Sequence, residues 1–141
     1  MKRQLIPYLI LFVLAVTNCD KNNEENGNIL LTKTWKRTVI DKKPTSNPAG
    51  KILYDAILEC EKDDTFTFNA DNTLTIHKGL NKCDPTDSNS RVVKYSYDNQ
   101  KNELIIDGIK YTLSEVSNGQ IKYYLPIAHA TGYDYLVYIL E

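Results

Sequence analysis

The chain has 141 residues, with 17 basic and 18 acidic side chains and a formal net charge of −1. This length suits one domain with one modest hydrophobic core. Because no block of basic residues occurs, the sequence predicts no positively charged patch that would bind phosphate groups. We therefore predict no nucleic-acid partner. Length and charge therefore point to a small single-domain protein outside the nucleic-acid-binding class.

The N-terminal segment has the pattern of a secretory signal peptide. Lys2 and Arg3 form a short positive region, and residues 5–16 are almost wholly apolar. A bilayer span needs ~20 apolar residues, and this run is shorter, so it fits the apolar core of a signal that is removed on export. We predict a lipoprotein signal peptide over residues 1–18. A plain signal peptide or an uncleaved anchor is the alternative.

Cys19 ends this segment and follows directly after Val16, Thr17 and Asn18. Small or apolar residues before a cysteine resemble the lipobox of bacterial lipoproteins. We predict that Cys19 becomes the lipidated first residue of the mature protein, with several acyl chains, palmitate among them. Several chains hold a protein firmly because each buried methylene contributes ~0.8 kcal/mol. The expected location is the outer membrane of a bacterial cell envelope, on its periplasmic or its surface-exposed face.

Residues 20–28 contain no apolar residue and are rich in Asn and acidic side chains. This composition predicts a flexible tether between the lipid and the domain. Removal of eighteen residues from 141 leaves a mature chain of 123, and because two of the removed residues are basic, the charge falls from −1 to −3. Residues 29–141 are the predicted folded domain.

Short alternating runs separated by turn residues recur from Ile29 onward, without a long helical period. Several short strands at regular spacing are typical of an all-β sandwich or barrel. Tyr, Ile, Val and Thr dominate the runs, as expected for half-buried pleated strands. Eight strands are predicted, over residues 34–40, 64–69, 73–78, 91–97, 103–106, 109–115, 120–126 and 133–140.

Asp107-Gly108 is a strong two-residue turn signal. It places Ile106 opposite Ile109 and Leu104 opposite Tyr111. Alternation then puts all four side chains on one face, so that register and burial agree. This agreement predicts an antiparallel hairpin with that face toward the core.

Asn118-Gly119 is a second turn signal of the same kind. It places Glu115 opposite Lys122, which is a favourable cross-strand charge pair. The same register pairs Leu113 with Tyr124 and leaves apolar residues of the second strand on both faces. Either both faces of this hairpin are partly buried or a β-bulge intervenes, and the sequence leaves both alternatives open.

A three-residue loop at 70–72 predicts the most informative hairpin. It places Phe68 opposite Leu74 and Phe66 opposite Ile76, with all four side chains on one face. We expect this face to point into the barrel, because a slip of one residue would turn every apolar side chain to water.

Two cysteines remain once Cys19 is lipidated. Extending the register of this hairpin outward brings Cys60 nearly opposite Cys83, one residue out of step, and Gly79 is a natural place for a bulge that absorbs the step. A leftover pair in an exported protein is typical of a disulfide, and two unrelated buried thiols are the alternative. The predicted disulfide links the two strands at the open end of the hairpin. On the chain-entropy model it contributes roughly 3.5 kcal/mol to the free energy of unfolding.

Residues 48–59 lack a strand pattern. Ile52, Leu53, Ala56 and Ile57 recur at a spacing that places them on one face of a helix,. We predict that this segment is one short helix or an irregular plug that lies across one end of the barrel.

Four stretches of the sequence resemble the bacterial lipocalin-like domain lipoproteins. The most specific is residues 60–68, which combine a cysteine, an acidic turn and an alternating aromatic strand ahead of a partner cysteine. The others are residues 30–35, 72–75 and 82–84. Wider lipocalins open with Gly-x-Trp, and here Trp35 is present with Lys33 in the place of that glycine, so the looser lipocalin-like group is implied.

This resemblance covers most of residues 29–140. It implies an antiparallel up-and-down barrel of about eight strands, with Trp35 packed across the closed end. Such a barrel is just wide enough to be filled by side chains or to hold one small ligand.

Residue patterns of catalysis are missing from the sequence. His77 and His129 are its only histidines, and neither has a neighbouring Cys or His at metal-ligand spacing,. Nucleophile elbows, phosphate loops and dinucleotide fingerprints do not occur. We therefore predict that the protein is not an enzyme and uses no metal and no cofactor.

Aromatic residues are the candidates for a binding site. We predict that Trp35, Tyr111, Tyr123 and Tyr135 line a pocket for a small apolar or amphipathic molecule, with the hydroxyl groups giving orientation. Ordinary strand packing of these rings is the alternative. The expected partners are the membrane, through the lipid, and such a ligand.

The rival hypothesis is a structural or interaction module whose outer face docks on another component of the cell envelope. The barrel interior discriminates between the two, because a carrier needs a cavity. If the residues expected to point inward fill the interior, the carrier hypothesis fails. These residues are Phe66, Phe68, Leu74, Ile76, Leu104, Ile106 and Tyr111.

Overall fold

The computed structural model describes residues 29–141. The predicted signal peptide over residues 1–18, the lipidated Cys19 and the tether over residues 20–28 lie outside the described residues. The described part opens on a helical turn at residues 29–31. Among residues 29–141, no helix is long and apolar enough to cross a membrane.

Nine strands form the domain. They are β1 (Trp35–Lys36), β2 (Ile52–Tyr54), β3 (Thr65–Phe68), β4 (Thr73–His77), β5 (Ser90–Asp98), β6 (Glu103–Ile106), β7 (Ile109–Val116), β8 (Ile121–Pro126) and β9 (Tyr135–Leu140). Their order in the sheet is β1-β3-β4-β5-β6-β7-β8-β9-β2. All pairings are antiparallel except that of β2 with β9, which is parallel. Each of the eight predicted strands overlaps one of these nine.

The sheet curls into a half-barrel, and its two ends approach each other. The Lys36 amide donates to the Glu141 carbonyl at 2.9 Å, and the Thr38 amide donates to the Ile139 carbonyl at 3.0 Å. Between them, Arg37 forms an isolated bridge with Leu140. The predicted all-β, barrel-like fold is confirmed, but a closed barrel of eight strands is not, because the chain leaves the sheet soon after β1 and a ninth strand is added.

The predicted helix at residues 48–59 is wrong, because this segment contains strand β2. Its residues Ile52–Tyr54 run parallel to residues 135–137 of β9. The Lys51 carbonyl accepts the Asp134 amide at 2.7 Å, so β9 supplies the backbone partners that a helix would supply internally. The chain enters β2 through Gly50, whose φ of +136° is a conformation that favours glycine,. The one helical turn that touches this segment is the 3₁₀-helix at Glu59–Glu61, which begins at its last residue.

The hairpin registers follow the turn signals. Phe68 pairs with Leu74 and Phe66 with Ile76, as predicted. The predicted pairs across the Asp107-Gly108 turn, Leu104 with Tyr111 and Ile106 with Ile109, are also present. Ile109 is nevertheless exposed, because it lies at the rim beside the turn. Local turn chemistry therefore fixes the register of both hairpins.

A β-bulge resolves the hairpin that the sequence left open. Glu115 pairs with Lys122 as predicted, but the register shifts between Leu113 and Glu115. Leu113 therefore pairs with Tyr123 and not with Tyr124. The extra residue returns both Leu113 and Tyr123 to the core face, where both are buried,.

The core is one continuous cluster inside the curled sheet. Trp35 is at its centre with 0% of its surface exposed, and its indole N–H donates to the Leu30 carbonyl at 3.1 Å. The buried members of the cluster come from β1 and from β3 to β9 and include Phe68, Leu74, Val93, Tyr95, Leu104, Tyr111, Leu113, Ile121, Tyr123 and Leu140. Phe66, Ile76 and Ile106 are partly buried and pack against it. All seven residues predicted to point inward thus belong to the core or contact it.

Strands β8 and β9 are buried on both faces. Ile121 and Tyr123 belong to the core cluster, while Lys122 between them is also fully buried. Because successive side chains point to opposite faces of a sheet, Lys122 lies on the outer face. The connection between β1 and β2 covers that face, as the hydrogen bond from the Gln120 amide group to the Ile40 carbonyl shows, at 2.9 Å.

Candidate functional site

Three tyrosine rings from neighbouring strands meet inside the sheet. Tyr123 of β8 lies directly opposite Tyr138 of β9, and their rings stack with centroids 5.2 Å apart and an interplanar angle of 7°. Tyr111 of β7 meets both rings edge-on, at 5.1 Å and 5.5 Å. Such edge-on contacts between aromatic rings stabilise the packing beyond the area that they bury. We call Tyr111, Tyr123 and Tyr138 the tyrosine cluster.

A charged group lies beside the tyrosine cluster. Arg37, just beyond β1, forms an ion pair with Asp55 and a second one with Glu61 at 2.9 Å. All three side chains are about three-quarters or more buried. Arg37 also donates to the Ala56 carbonyl at 3.1 Å. This ion-pair group anchors the connection from β2 to β3.

Burial and neighbouring charge alter the acid–base properties of both groups. Burial raises the pKa of the Asp55 carboxyl above its ordinary value, against the opposing effect of the Arg37 guanidinium. Burial likewise raises the pKa of all three hydroxyls of the tyrosine cluster, and the Asp55 charge contributes in each case. The phenols therefore stay neutral and can donate or accept hydrogen bonds, which makes this end of the sheet chemically suited to orient a polar group.

The four residues predicted to bind a ligand do not share one site. Trp35, Tyr111 and Tyr123 belong to the same core cluster. Tyr135 lies on the other face of β9, where its ring meets Tyr124 edge-on at 5.2 Å. Arg37 and Asp55 were not predicted, because Asp55 lies in the segment with helical spacing and the partners of Arg37 are distant in sequence.

Lys122 is the centre of a second polar cluster, on the outer face of β8. Its ammonium group lies 2.7 Å from an Asp41 carboxylate oxygen and donates to the Lys43 carbonyl at 2.7 Å and the Ser46 hydroxyl at 2.9 Å. The predicted partner Glu115 is farther away, at 3.9 Å. Lys122 therefore fastens the covering connection onto the sheet.

Asp41 is held in the charged state by this cluster. Burial by itself would raise the pKa of Asp41, but hydrogen bonds from Lys122, Tyr54 and two further donors outweigh it and lower the pKa from 3.8 to about 2. The Tyr54 hydroxyl donates to Asp41 at 2.7 Å. These contacts fasten Lys122, Tyr54 and Asp41 to one another, while Glu115 Oε2 and Asn47 Oδ1 beside them are buried without a hydrogen-bond partner.

The disulfide predicted between Cys60 and Cys83 is present, with the two Cα atoms 5.0 Å apart. It joins the 3₁₀-helix before β3 to the loop after β4. The β3–β4 ladder ends at His77, so Gly79 lies beyond the paired residues and is not part of a bulge in them. It instead permits close approach, because a Cβ on Gly79 would lie 1.9 Å from the Asp63 carboxyl carbon.

Comparison with known proteins adds no assignment. No protein-family model, curated protein or solved structure is significantly similar to this chain. Within the described residues, no group of three or more His, Cys, Asp or Glu side chains is placed to hold a metal ion.

Proposed function

We propose that this chain is an exported, lipid-anchored cell-envelope protein of the lipocalin-like type, whose barrel-like domain docks on another envelope component. The observation that carries the proposal is the packing of the residues expected to point inward. Phe68, Leu74, Leu104 and Tyr111 are buried in the core cluster, and Phe66, Ile76 and Ile106 are partly buried against it. Side chains that pack on one another inside the sheet favour the outer surface as the place where the domain acts.

The packing of the aromatic residues supports the same proposal. Trp35 is fully buried with its indole N–H bonded to the backbone, so both its apolar and its polar surface are already used. Phe68 and Tyr95 meet edge-on at 4.9 Å, as the rings of the tyrosine cluster do. Rings in mutual contact stabilise the fold beyond the area that they bury.

Export and lipidation are tested by labelling. In cells that make the full chain, we expect radioactive palmitate to label the wild-type protein and not the Cys19→Ser variant. The variant should also leave the membrane fraction, because it lacks the acyl chains that hold it there. Equal labelling of both proteins would contradict the assignment of Cys19.

Docking is tested by the size of the protein in mild-detergent extracts of envelopes. The proposal predicts a discrete species larger than the detergent-bound monomer for the wild-type chain. Purified domain, added in excess, should compete it back to the monomer, because both contain the docking surface. A monomer in every extract would contradict the docking function.

A small-ligand carrier is the second candidate, favoured by the tyrosine cluster beside Arg37 and Asp55. Neutral phenols next to a largely buried ion pair are suited to orient an amphipathic molecule. An apolar fluorescent dye such as anilinonaphthalene sulfonate is the probe. The carrier predicts dye binding that Tyr138→Leu abolishes and that Tyr133→Leu, an exposed control, leaves intact.

A further inference from the structure

The hydroxyl groups of the tyrosine cluster have no partner among the described residues. Tyr111 is only 9% exposed and Tyr123 only 7%, and polar groups buried to this extent are normally hydrogen-bonded. The equally buried Tyr95 follows this rule, because its hydroxyl donates to the Asn69 carbonyl at 3.0 Å. By contrast, no described group is hydrogen-bonded to the hydroxyls of Tyr111, Tyr123 or Tyr138. Their partner therefore has to come from outside the described residues.

The three hydroxyls are open to such a partner. In the described part of the chain, the buried side-chain oxygens without a hydrogen bond belong to Asn47, Asp63 and Glu115. The hydroxyl oxygens of the tyrosine cluster are not among these buried atoms. Because the three rings contact one another, with centroids at most 5.5 Å apart, their hydroxyl groups are neighbours and form one site.

Asp55 adds a carboxylate oxygen with the same property. Arg37 donates to its Oδ2 atom, whereas its Oδ1 atom accepts no hydrogen bond from the described residues. The Asp55 amide donates to the Val137 carbonyl at 2.8 Å, which places Asp55 beside Tyr138. Its side chain is 28% exposed. Together with the three phenols, the site offers four oxygen atoms that are free to accept hydrogen bonds.

The charged groups beside the tyrosine cluster have one negative charge in excess. Arg37 is the cation, and Asp55 and Glu61 are its two carboxylate partners. Burial is the main cause that raises the pKa of the Tyr111 and Tyr138 hydroxyls, and the charge of Asp55 is the next, so its field reaches both phenols. Surplus carboxylate charge and unused acceptor oxygens favour a ligand that is positively charged and donates hydrogen bonds.

We infer that the tyrosine cluster and Asp55 bind a primary ammonium group, from a small amine or from a lysine side chain. An ammonium group has three donors and no acceptor, which matches a set of unused acceptor oxygens. Asp55 supplies the counter-charge, and the hydroxyls orient the group. Because few contacts hold it, we expect weak and readily reversed binding, and a purified chain without ligand. The site lies on the inner face of the sheet, so the inference goes beyond the proposed docking function and does not depend on it.

Titration followed by NMR tests the class of ligand. The probe is n-butylammonium, added to the oxidised full chain in an uncharged detergent, and n-butanol and butyrate are the matched neutral and anionic probes at the same ionic strength. We expect saturable changes in the amide signals of Asp55 and Tyr138 with butylammonium alone. Equal changes with n-butanol would overturn the ammonium class. Preference for butyrate, or no change with any probe, would overturn the site.

Removal of single hydroxyl groups tests the residues of the site. Tyr111→Phe and Tyr138→Phe keep the packed rings and remove groups that no described residue binds, so both variants should keep the melting temperature of the wild type. Each should weaken butylammonium binding about fivefold, as the loss of one hydrogen bond does. Tyr133→Phe, at an exposed tyrosine, is the control and should bind like the wild type. Unchanged binding in both cluster variants, or equal weakening in the control, would overturn the inference.

Two peptides separate the possible sources of the ammonium group. Both have blocked termini and a single lysine between glycines, and in one of them the lysine is acetylated, which removes its charge. Tighter binding of the lysine peptide than of butylammonium would assign the site to a protein side chain, and equal or weaker binding would assign it to a small amine. Equal binding of the two peptides would show that the charge is not recognised and would overturn the inference.

Discussion

The two halves of the sheet are covered differently. In the half from β3 to β7, one face packs on the core and the other faces water, as in β5, where Val93 and Tyr95 are buried while Val92 and Lys94 are exposed. In β8 and β9, the connection between β1 and β2 covers the outer face, and Lys122 and Val137 are buried there. Alternation therefore reveals which face of a strand is apolar, and long-range contacts decide whether the polar face meets water.

The largest difference between the halves should come from their outward-facing lysines. Lys122→Met leaves Asp41 buried without its cation, which typically costs about 3–5 kcal/mol of unfolding free energy. Lys94→Met, on the exposed face of β5, should change it by less than about 0.5 kcal/mol. Urea unfolding of the two variants measures the difference. Equal values would mean that the covering connection is not fastened by Lys122.

The disulfide stabilises the half of the sheet from β3 to β7. We call it the singly covered half, because the core covers only one of its faces. Replacing both cysteines, as Cys60→Ser with Cys83→Ser, should lower the unfolding free energy by about 3.5 kcal/mol on the chain-entropy model for a loop of this length. Urea unfolding of the variant against the oxidised wild type gives the value. A loss below about 1 kcal/mol would show that the Asp63 and Asp64 contacts hold the loop without the bridge.

Two glycines at loops of the two halves form a matched pair. Gly79→Ala would push the Asp63 carboxylate out of its place and should destabilise by about 1–3 kcal/mol. A Cβ on Gly119 meets nothing within 4 Å, so Gly119→Ala should be neutral or stabilise by up to about 1 kcal/mol. Thermal unfolding of both variants checks this order, and the reverse order would contradict the close approach at Gly79.

The smallest effect should appear in the pH dependence of the unfolding free energy, through Asp41. This residue belongs to the half formed by β8 and β9, which is covered on both faces. The pKa of Asp41 is lowered from 3.8 to about 2 in the folded state, so its contribution is fully present above pH 4 and is lost as the pH falls toward 2. The loss is at most about 2 kcal/mol. Unfolding free energies of the wild type and Asp41→Asn, measured from pH 5 to pH 2, should converge. Parallel curves would contradict the assignment.

Turn chemistry and alternation predict the singly covered half well. The signals at residues 70–72 and 107–108 fix both registers there, and the disulfide follows from extending one of them. Strand β2 was missed because three residues of strand carry little pattern and their partner, β9, lies more than eighty residues away. Local periodicity cannot detect a parallel pairing over that distance.

The candidate sites were predicted only in part. The core aromatic residues Trp35, Tyr111 and Tyr123 were recognised, and all three pack in one cluster. Lys122 was predicted only as the cross-strand partner of Glu115, because its closer partner Asp41 approaches from a connection that is distant in sequence.

Native mass spectrometry of residues 20–141, exported so that the disulfide forms, is the most direct test of whether side chains fill the interior. The spectrum is compared with that of the same sample after denaturation. If side chains fill the interior, we expect the bare mass of the oxidised chain in both spectra. An additional small-molecule mass that is present in the native spectrum and lost on denaturation would contradict it and would favour the carrier.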